Sequence, residues 1–347
     1  MKNIQDSLVT SIKNSLKALK LDKIDNADIY LDLPSEVRFG DFSSNIALRL
    51  TKPIKKSSHE IAKAIVDVIK PQLAKGPLKD YLKEVKVEGA GFINFYLSDK
   101  YFYEQLKDLI VRGSKALRAD IGKGRRVLVE FVSANPTGPL SVAHARQAAV
   151  GDSLVNILDF LGFKVKREYY NNDEGNQINI LGQSVELRLK ELNGEKVEFP
   201  ENYYQGDYIY DIARQVQSSP AKAGKVQSLG EFAAEYISSI IKKELDDFGI
   251  KFDYWYSQKT LRTSGKVQEA LAFLRKKGLL YEQDGALWFK STQFGDDKDR
   301  VIIKTDGAYT YIATDIAYHR EKYRRGFKWL INLWGPDHHG YINRLKA

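Results

Sequence analysis

The run Arg126-Val-Leu-Val-Glu-Phe-Val132 constrains the fold more than any other part of the chain. It is apolar at most positions rather than at every second one, as a parallel strand buried on both faces is. The loop Ser133-Ala-Asn-Pro-Thr-Gly-Pro-Leu140 follows. A helical stretch then runs from about Ser141 to Leu161 and stops at Gly162. Next comes a second strand-like run, Lys164-Val-Lys-Arg-Glu-Tyr-Tyr170. Strand, loop, helix and strand make a βαβ unit, which calls for a parallel sheet covered by helices. Residues 171–295 read as mixed helices and loops inserted before the sheet resumes, with helices over 230–248 and 264–277. The sheet is expected to resume at Arg300-Val-Ile-Ile-Lys304 and at Trp329-Leu-Ile-Asn-Leu-Trp334.

Ahead of this unit the pattern changes. Ile4, Leu8, Ile12, Leu16 and Leu19 recur at spacings of four and three, which predicts an amphipathic helix over residues 1–20. Ser57 and Glu60 have capping-box spacing, and Ile61, Ile65 and Val68 follow on one face. Pro71 and the Lys75-Gly-Pro77 group are expected to end that second helix. Glu84-Val-Lys-Val-Glu88 and Phe92-Ile-Asn-Phe-Tyr-Leu97 read as strands hinged at Gly89-Ala-Gly91, with a third helix over 99–113. Gly122-Lys-Gly124 marks a boundary. The domains are therefore expected at 1–115, a small α+β unit, and at 122–347.

Composition narrows the setting. With 43% hydrophobic and 29% charged residues the chain fits a soluble globular protein. No apolar run approaches the ~18 residues of a membrane span. The first residues carry no apolar leader core, and Asp6 argues against a transit peptide, so the cytoplasm is the expected location. The chain has no cysteine, which excludes disulfides and thiolate metal sites. A net charge of +9 suits a polyanionic partner such as nucleic acid. The excess is denser at the start, where residues 1–120 hold 21 Lys and Arg against 16 Asp and Glu. Arg49-Leu-Thr-Lys-Pro-Ile-Lys-Lys56 has four cations and no acid; a solvated loop and a nucleic-acid backbone contact both fit it. The 20 tyrosines and 16 phenylalanines are read mainly as packing.

The turn at 133–144 is the first candidate site. Pro136 and Pro139 stiffen it, and Gly138 permits backbone geometry that other residues resist. The helix behind it aims free N–H groups and the positive end of its dipole at the loop, which favours a phosphate. Ser141 can cap that helix, and His144 lies within its first turn. The alternative is a loop whose histidine merely packs. The turn is neither a GxGxxG nor a GxxxxGK[ST] element.

The segment Glu130-Phe-Val-Ser-Ala-Asn-Pro-Thr-Gly-Pro-Leu-Ser-Val-Ala-His-Ala-Arg146 resembles the ATP-binding segment of arginyl-tRNA synthetases, which are class I aminoacyl-tRNA synthetases. Five further stretches resemble that family in the same order. They are Phe39-Gly-Asp-Phe-Ser-Ser-Asn45 with Gly89-Ala-Gly-Phe-Ile-Asn94, then Tyr169-Tyr-Asn-Asn-Asp-Glu-Gly-Asn-Gln177, then Asp306-Gly-Ala-Tyr-Thr-Tyr-Ile-Ala-Thr-Asp-Ile-Ala-Tyr-His319, and last Trp334-Gly-Pro-Asp-His-His-Gly-Tyr341. The resemblance implies an α/β fold. A Rossmann-like catalytic domain, incomplete and carrying an insertion, would follow an α+β domain that contacts tRNA. Two positions depart from the family's His-x-Gly-His element: Ser141 stands where the first histidine is expected, and Ala143 where glycine is usual. Serine keeps a donor without a charge, and the alanine methyl lies where adenine would approach. Both bear on rate more than on fold.

The implied activity is ATP-dependent activation of arginine and its transfer to tRNA(Arg), with Mg²⁺ accompanying ATP, by a monomer. Ser141 and His144 match the catalytic element. Asn135, Pro136, Thr137, Gly138, Pro139 and Leu140 complete its ATP loop, and Asp337 and His338 join the nucleotide pocket. Glu130, Ser133, Asn135, Tyr311 and Asp315 match arginine-binding positions. The chemistry agrees. A guanidinium is a planar donor fork best met by a carboxylate, and the spacing of Tyr311 and Asp315 puts both on one face of a helix. Asp315 could equally be a surface or capping acid. Glu130 is costly to bury unpaired; a substrate ammonium would compensate it, or an ion pair with Arg125 or Arg126.

No resident metal is expected. A zinc site built from His144, His319 and Asp337-His-His339 is conceivable, but adjacent histidines point in different directions. No Lys-Met-Ser-Lys-type loop occurs, Met1 is the only methionine, and no helical anticodon-reading domain follows. The chain is therefore expected to be part of a longer protein. Two readings from other classes stay open: a non-catalytic tRNA-binding fragment, and a metal-dependent hydrolase.

Overall fold

A computed structural model describes residues 4–21, 29–76, 78–218 and 228–347, apart from the side chains of Ala74 and Asp337. The chain divides into two compact units, Met1–Leu117 and Arg118–Ala347.

In the first unit, helix α1 (Ile4–Ala18) buries Ile4, Leu8, Ile12 and Leu16, the stripe that its spacing predicts. They pack with Ile61, Ile65, Val66 and Ile69 of α2 (Ser58–Lys75). The capping box forms: the Glu60 amide donates to Ser57 Oγ at 3.2 Å, and the Ser57 amide donates to the Glu60 carboxylate at 3.0 Å. Pro71 does not end α2 but sits inside it. It is exposed, while Ile69 and Leu73 on either side are buried. Their packing outweighs the lost hydrogen bond, a penalty of about 3 kcal/mol. Pro77 lies outside the described residues. Strands β1 (Phe42–Ser44), β2 (Leu82–Glu88) and β3 (Phe92–Leu97) form an antiparallel sheet in the order β1-β3-β2, and α3 spans Asp99–Arg112.

The second unit is built on a parallel sheet. Strands β4 (Arg126–Glu130) and β5 (Lys164–Asn171) flank the crossover helix α4 (Val142–Phe160), as the βαβ pattern requires. Val127, Leu128 and Val129 are buried in the sheet, and Ala148, Gly151, Val155 and Leu158 of α4 are buried beside it. Among the described residues three helices follow: α5 (Asn176–Leu192), α6 (Asp207–Ser218) and α7 (Leu229–Asp247). The sheet then resumes at β6 (Tyr254–Ser257), earlier than the sequence pattern suggests, because four half-buried residues leave no apolar run to read. Helix α8 (Lys266–Lys276) leads to β7 (Leu280–Gln283), β8 (Ala286–Phe289) and β9 (Arg300–Ile303).

The expectation for 300–304 is half right. Residues Arg300–Ile303 are a strand, but it pairs antiparallel with β8 in a separate three-stranded sheet. Strand character is local, whereas the choice of partner is set by the hairpin that precedes it. Helix α9 (Tyr311–Arg324) and β10 (Trp329–Asn332) complete the unit. Strand β10 does join the parallel sheet, next to β4, so the order is β10-β4-β5-β6. The chain leaves β4 toward β5 on one side, and β10 returns on the other. That is a switch point, where open α/β sheets hold ligands at the strands' carboxyl ends.

Gly151 sets how close α4 comes to the sheet. A Cβ built there would lie 2.3 Å from the ring of buried Phe131. Gly151→Val should therefore cost about 1–3 kcal/mol in urea unfolding by overpacking; an unchanged midpoint would mean the contact is slack.

Candidate active site

A cavity of about 1380 Å³ opens at the carboxyl ends of β4 and β10. Pockets for one drug-sized ligand span roughly 300–1,000 Å³, so this cavity is larger than one such ligand needs. Most of its wall comes from the end of β4 with its loop, the first turns of α4, one face of α9, and the end of β10 with the turn that follows; Tyr170 and Asn172 at the end of β5 and Arg300 and Val301 of β9 add to it.

The β4 end is charged and strained. Glu130 is buried at the last strand position, in register with Glu168 of β5 on one side and Asn332 of β10 on the other. Val132 (φ 68°) and Ser133 (φ 41°) both take left-handed backbone. That geometry costs roughly 1–3 kcal/mol for a residue that is not glycine, and valine resists it most. The reversal turns Ser133 back onto the strand. Its hydroxyl donates to Glu130 Oε1 at 3.1 Å and accepts the Tyr170 amide at 3.1 Å.

Glu130 does not pair with Arg125 or Arg126. Arg125 stacks on Phe163 and Arg126 on Phe327. Its partner is the ammonium of Lys322, which is itself 1% exposed. Tyr318 Oη lies 3.0 Å from Glu130 Oε2 and 2.7 Å from Glu168 Oε1. Arg325 Nη1 meets Glu168 Oε2 at 2.6 Å. Burial opposes the ionisation of Glu130. The Lys322 charge and hydrogen bond outweigh it, and the carboxyl sits below its usual range.

Helix α9 carries most of the other polar groups. Tyr311, Asp315 and Tyr318 all line the cavity. With Lys322 they repeat at spacings of four, three and four, one helix face. Tyr311 is 71% exposed and lines the cavity. Asp315 is half-buried and accepts a hydrogen bond from the Tyr341 hydroxyl. Burial pushes its carboxyl up to about 6; the Tyr341 bond opposes that, and the nearby Glu130 adds to it. His319 Nδ1 lies 2.9 Å from the Asp315 carbonyl oxygen, and its Nε2 lies 3.0 Å from Asn332 Nδ2. Asn332 Oδ1 accepts from Lys322 at 3.1 Å. This chain of partners suits a neutral ring with its proton on Nδ1. Burial, with Lys322 close by, lowers the His319 pKa to about 4.

The nucleotide-side candidates are less buried. The Ser141 amide donates to His144 Nδ1 at 3.0 Å, with Ser141 Oγ 3.1 Å from the same nitrogen. A neutral His144 ring then carries its proton on Nε2. Ser133, Asn135, His144 and His338 line the cavity together with Glu130, Tyr311 and Asp315. Asn135 has a partner outside the turn. Its Nδ2 donates to Gln177 Oε1 at 2.7 Å. Pro136, Thr137, Gly138, Pro139, Leu140 and Ser141 form the turn beside the cavity but do not line it. The Asp337 side chain lies outside the described residues. His338 stacks near Trp334, at 5.7 Å between centroids. Among the described residues, no group of three or more His, Asp or Glu converges as metal ligands would.

Lys322, Tyr318, Asn332 and Tyr341 were not singled out from sequence. The first two were legible, since they extend the Tyr311 and Asp315 face by two more steps. Asn332 and Tyr341 carry no local signal. They matter because of strand register and the turn after β10.

Comparison with known proteins gives the chain a family. Residues 105–329 match the model of class I (R) tRNA synthetase catalytic domains, and residues 6–97 match the arginyl tRNA synthetase N-terminal domain. The chain belongs to the class I tRNA synthetases and, within them, to the arginyl-tRNA synthetase family. It is 44% identical over 326 residues to an arginine–tRNA ligase of Citrifermentans bemidjiense, covering 92% of this chain and 58% of that protein. It is 43% identical over 357 residues to an arginine–tRNA ligase of Bacillus subtilis, covering 99% and 63%. A solved putative arginyl-tRNA synthetase from Campylobacter jejuni superposes with a TM-score of 0.64 at 41% identity, covering 72% of this chain and 56% of that one. The chain thus spans roughly three-fifths of the length of these curated relatives.

Lys322→Met keeps the side chain's length and removes its charge, leaving Glu130 buried without a cation. The expected loss is about 3–5 kcal/mol in urea unfolding, much of it recovered in the double variant with Glu130→Gln. If the single variant unfolds like the parent, Glu130 does not depend on this pair.

Proposed function

We propose that this chain forms the arginine- and ATP-binding part of an arginine–tRNA ligase. In that reaction the arginine carboxylate attacks the α-phosphate of ATP and pyrophosphate leaves. The adenylate then passes arginine to the terminal adenosine of tRNA(Arg). The observation that carries the reading is one cavity lined both by Asp315 and by the first turn of α4.

Each residue has a defined task in it. Asp315 receives the guanidinium, since a carboxylate matches that donor fork, and Tyr311 accepts beside it. Lys322 already neutralises Glu130, so Asp315 is the carboxylate on this wall left for the substrate's side chain. Glu130, Ser133 and Asn135 line the part of the cavity that takes the arginine's other end; Lys322 balances the charge of Glu130, so Glu130 offers the ammonium a hydrogen-bond acceptor rather than an unpaired charge. His144 presents Nε2–H toward the phosphates. The free amides at the start of α4 add their partial positive charge. Ser141 supplies no second imidazole; its amide and hydroxyl hold the His144 ring instead. The turn from Asn135 to Leu140 shapes the nucleotide site, and His338 closes it near Trp334. Asp337 belongs to the same pocket by its position in the chain. Positioning and charge stabilisation at phosphorus are the protein's contribution. Mg²⁺ comes with the ATP phosphates, and no protein ligand is assigned to it.

The first unit is proposed to contact the tRNA. Its exposed Lys52, Lys55 and Lys56 support this, and binding through them should weaken steeply with salt. A monomeric enzyme working in the cytoplasm completes the reading. Among the described residues no helix is long and apolar enough to cross a membrane.

Arginine-dependent ATP–pyrophosphate exchange by the longest native form of the protein, with and without tRNA(Arg), tests the activity. Binding of tRNA with no exchange under either condition would leave an RNA-binding role instead. Asp315→Asn should weaken arginine binding by roughly 10- to 100-fold, the range of a hydrogen bond to a charged partner. Calorimetry would read this directly, and an equal affinity would remove Asp315 from the site. The same titration should depend on pH. Only the ionised carboxylate pairs with a guanidinium. Affinity should therefore hold above about pH 7 and fall about tenfold per unit below the Asp315 value of about 6. A flat profile from pH 8 to 5 would contradict that role.

A further inference from the structure

The turn that follows β4 makes few backbone hydrogen bonds of its own. Its internal bonds are Ser133 N–H to the Phe131 carbonyl at 3.0 Å and Thr137 N–H to the Asn135 carbonyl at 2.8 Å. It is held largely from outside. Tyr169 Oη donates to the Ala134 carbonyl at 2.8 Å, from the neighbouring strand β5. Strand β5 also gives the Tyr170 amide to Ser133 Oγ at 3.1 Å. Two further outside contacts come from the helices inserted after β5. Gln177 Oε1, at the start of α5, accepts from Asn135 Nδ2 at 2.7 Å. Tyr208 Oη, at the start of α6, donates to the Thr137 carbonyl at 2.7 Å.

Tyr208 is suited to this contact. Its ring end stands over Gly138, where an added Cβ would lie 3.3 Å from Tyr208 Oη. Burial raises its phenol to about 12, so the hydroxyl keeps its proton at neutral pH. Its helix is anchored without it, through buried Ile209, Ile212 and Ala213. The stretch before α6 is fixed as well, since buried Arg188 donates to the Gln205 carbonyl at 2.8 Å.

We propose that the helices inserted after β5 hold the nucleotide turn in shape, with Tyr208 and Gln177 as positioning residues for ATP. This rests on the assignment of that turn to ATP. Neither side chain needs to touch the nucleotide. Tyr208 fixes the Thr137-Gly138 backbone, and Gln177 fixes the orientation of the Asn135 amide. A turn held in its bound shape loses less entropy when the ligand arrives.

Calorimetric titration of this chain with ATP, and separately with L-arginine, tests the inference. Tyr208→Phe keeps the ring and removes one hydrogen bond. It should raise the Kd for ATP about 2- to 10-fold, the worth of one neutral hydrogen bond, with the Kd for arginine and the thermal midpoint unchanged. Gln177→Ala should also weaken ATP. Gln177→Glu should restore it, because glutamate still offers Asn135 an oxygen. An ATP affinity in Tyr208→Phe equal to the parent's would overturn the inference and leave the nucleotide assignment standing. Equal losses for ATP and arginine would overturn it too, by reducing Tyr208 to packing. If Tyr208→Phe fails to fold, the Gln177 pair decides on ATP affinity alone, since Asn135 serves both ligands: an ATP Kd in Gln177→Ala equal to the parent's would overturn the inference. A parent chain that binds no ATP would overturn both the assignment and the inference.

Discussion

Two glutamates lie side by side in the middle of the parallel sheet. Glu130 of β4 and Glu168 of β5 occupy paired register positions, and both are buried. Like charges directly opposite one another destabilise a sheet, and burial multiplies the cost. The fold answers with two cations from one helix. Lys322 meets Glu130 and Arg325 meets Glu168, with the Tyr318 hydroxyl between the carboxylates. All three donors lie within or just beyond the last turns of α9, which is therefore tied to the sheet by charge as well as by packing. Its apolar face adds Ile312, Ala313 and Ala317 to a separate core.

That tie orients the helix's other end. Once Tyr318 and Lys322 point into the sheet, the same face carries Asp315 and Tyr311 toward the cavity. Opposite them the β4 backbone turns sharply through Val132 and Ser133, against the preference of both residue types. The strain places Ser133 on Glu130 and launches the turn toward α4. Charge pairing on one wall and strained backbone on the other thus set the distance between a carboxylate and a helix start. Both are features that stability alone would not select.

Much of this was legible in the residues. The apolar run before the proline-rich loop marked β4, and Gly162 marked the end of the crossover. The Tyr311 and Asp315 spacing marked a helix face. What stayed hidden depends on three-dimensional pairing. Strand β6 is too short and too aromatic to announce itself, and Arg300–Ile303 looks like any strand until its hairpin partner is known. Pro71 reads as a helix stop because sequence carries no weight for the core on either side of it. Glu130 was expected to find its cation in a nearby arginine or a substrate. Its partner stands 192 positions away, beyond the reach of local reasoning.

We propose that Asp315 reads a guanidinium. The most direct test compares L-arginine with L-citrulline, which has nearly the same shape but a neutral ureido group, by calorimetry at pH 7.5. Arginine should bind at least about tenfold more tightly, as a charge-assisted pair exceeds a neutral hydrogen bond. Equal affinities would mean that the cavity recognises shape rather than charge, and that Asp315 has another purpose.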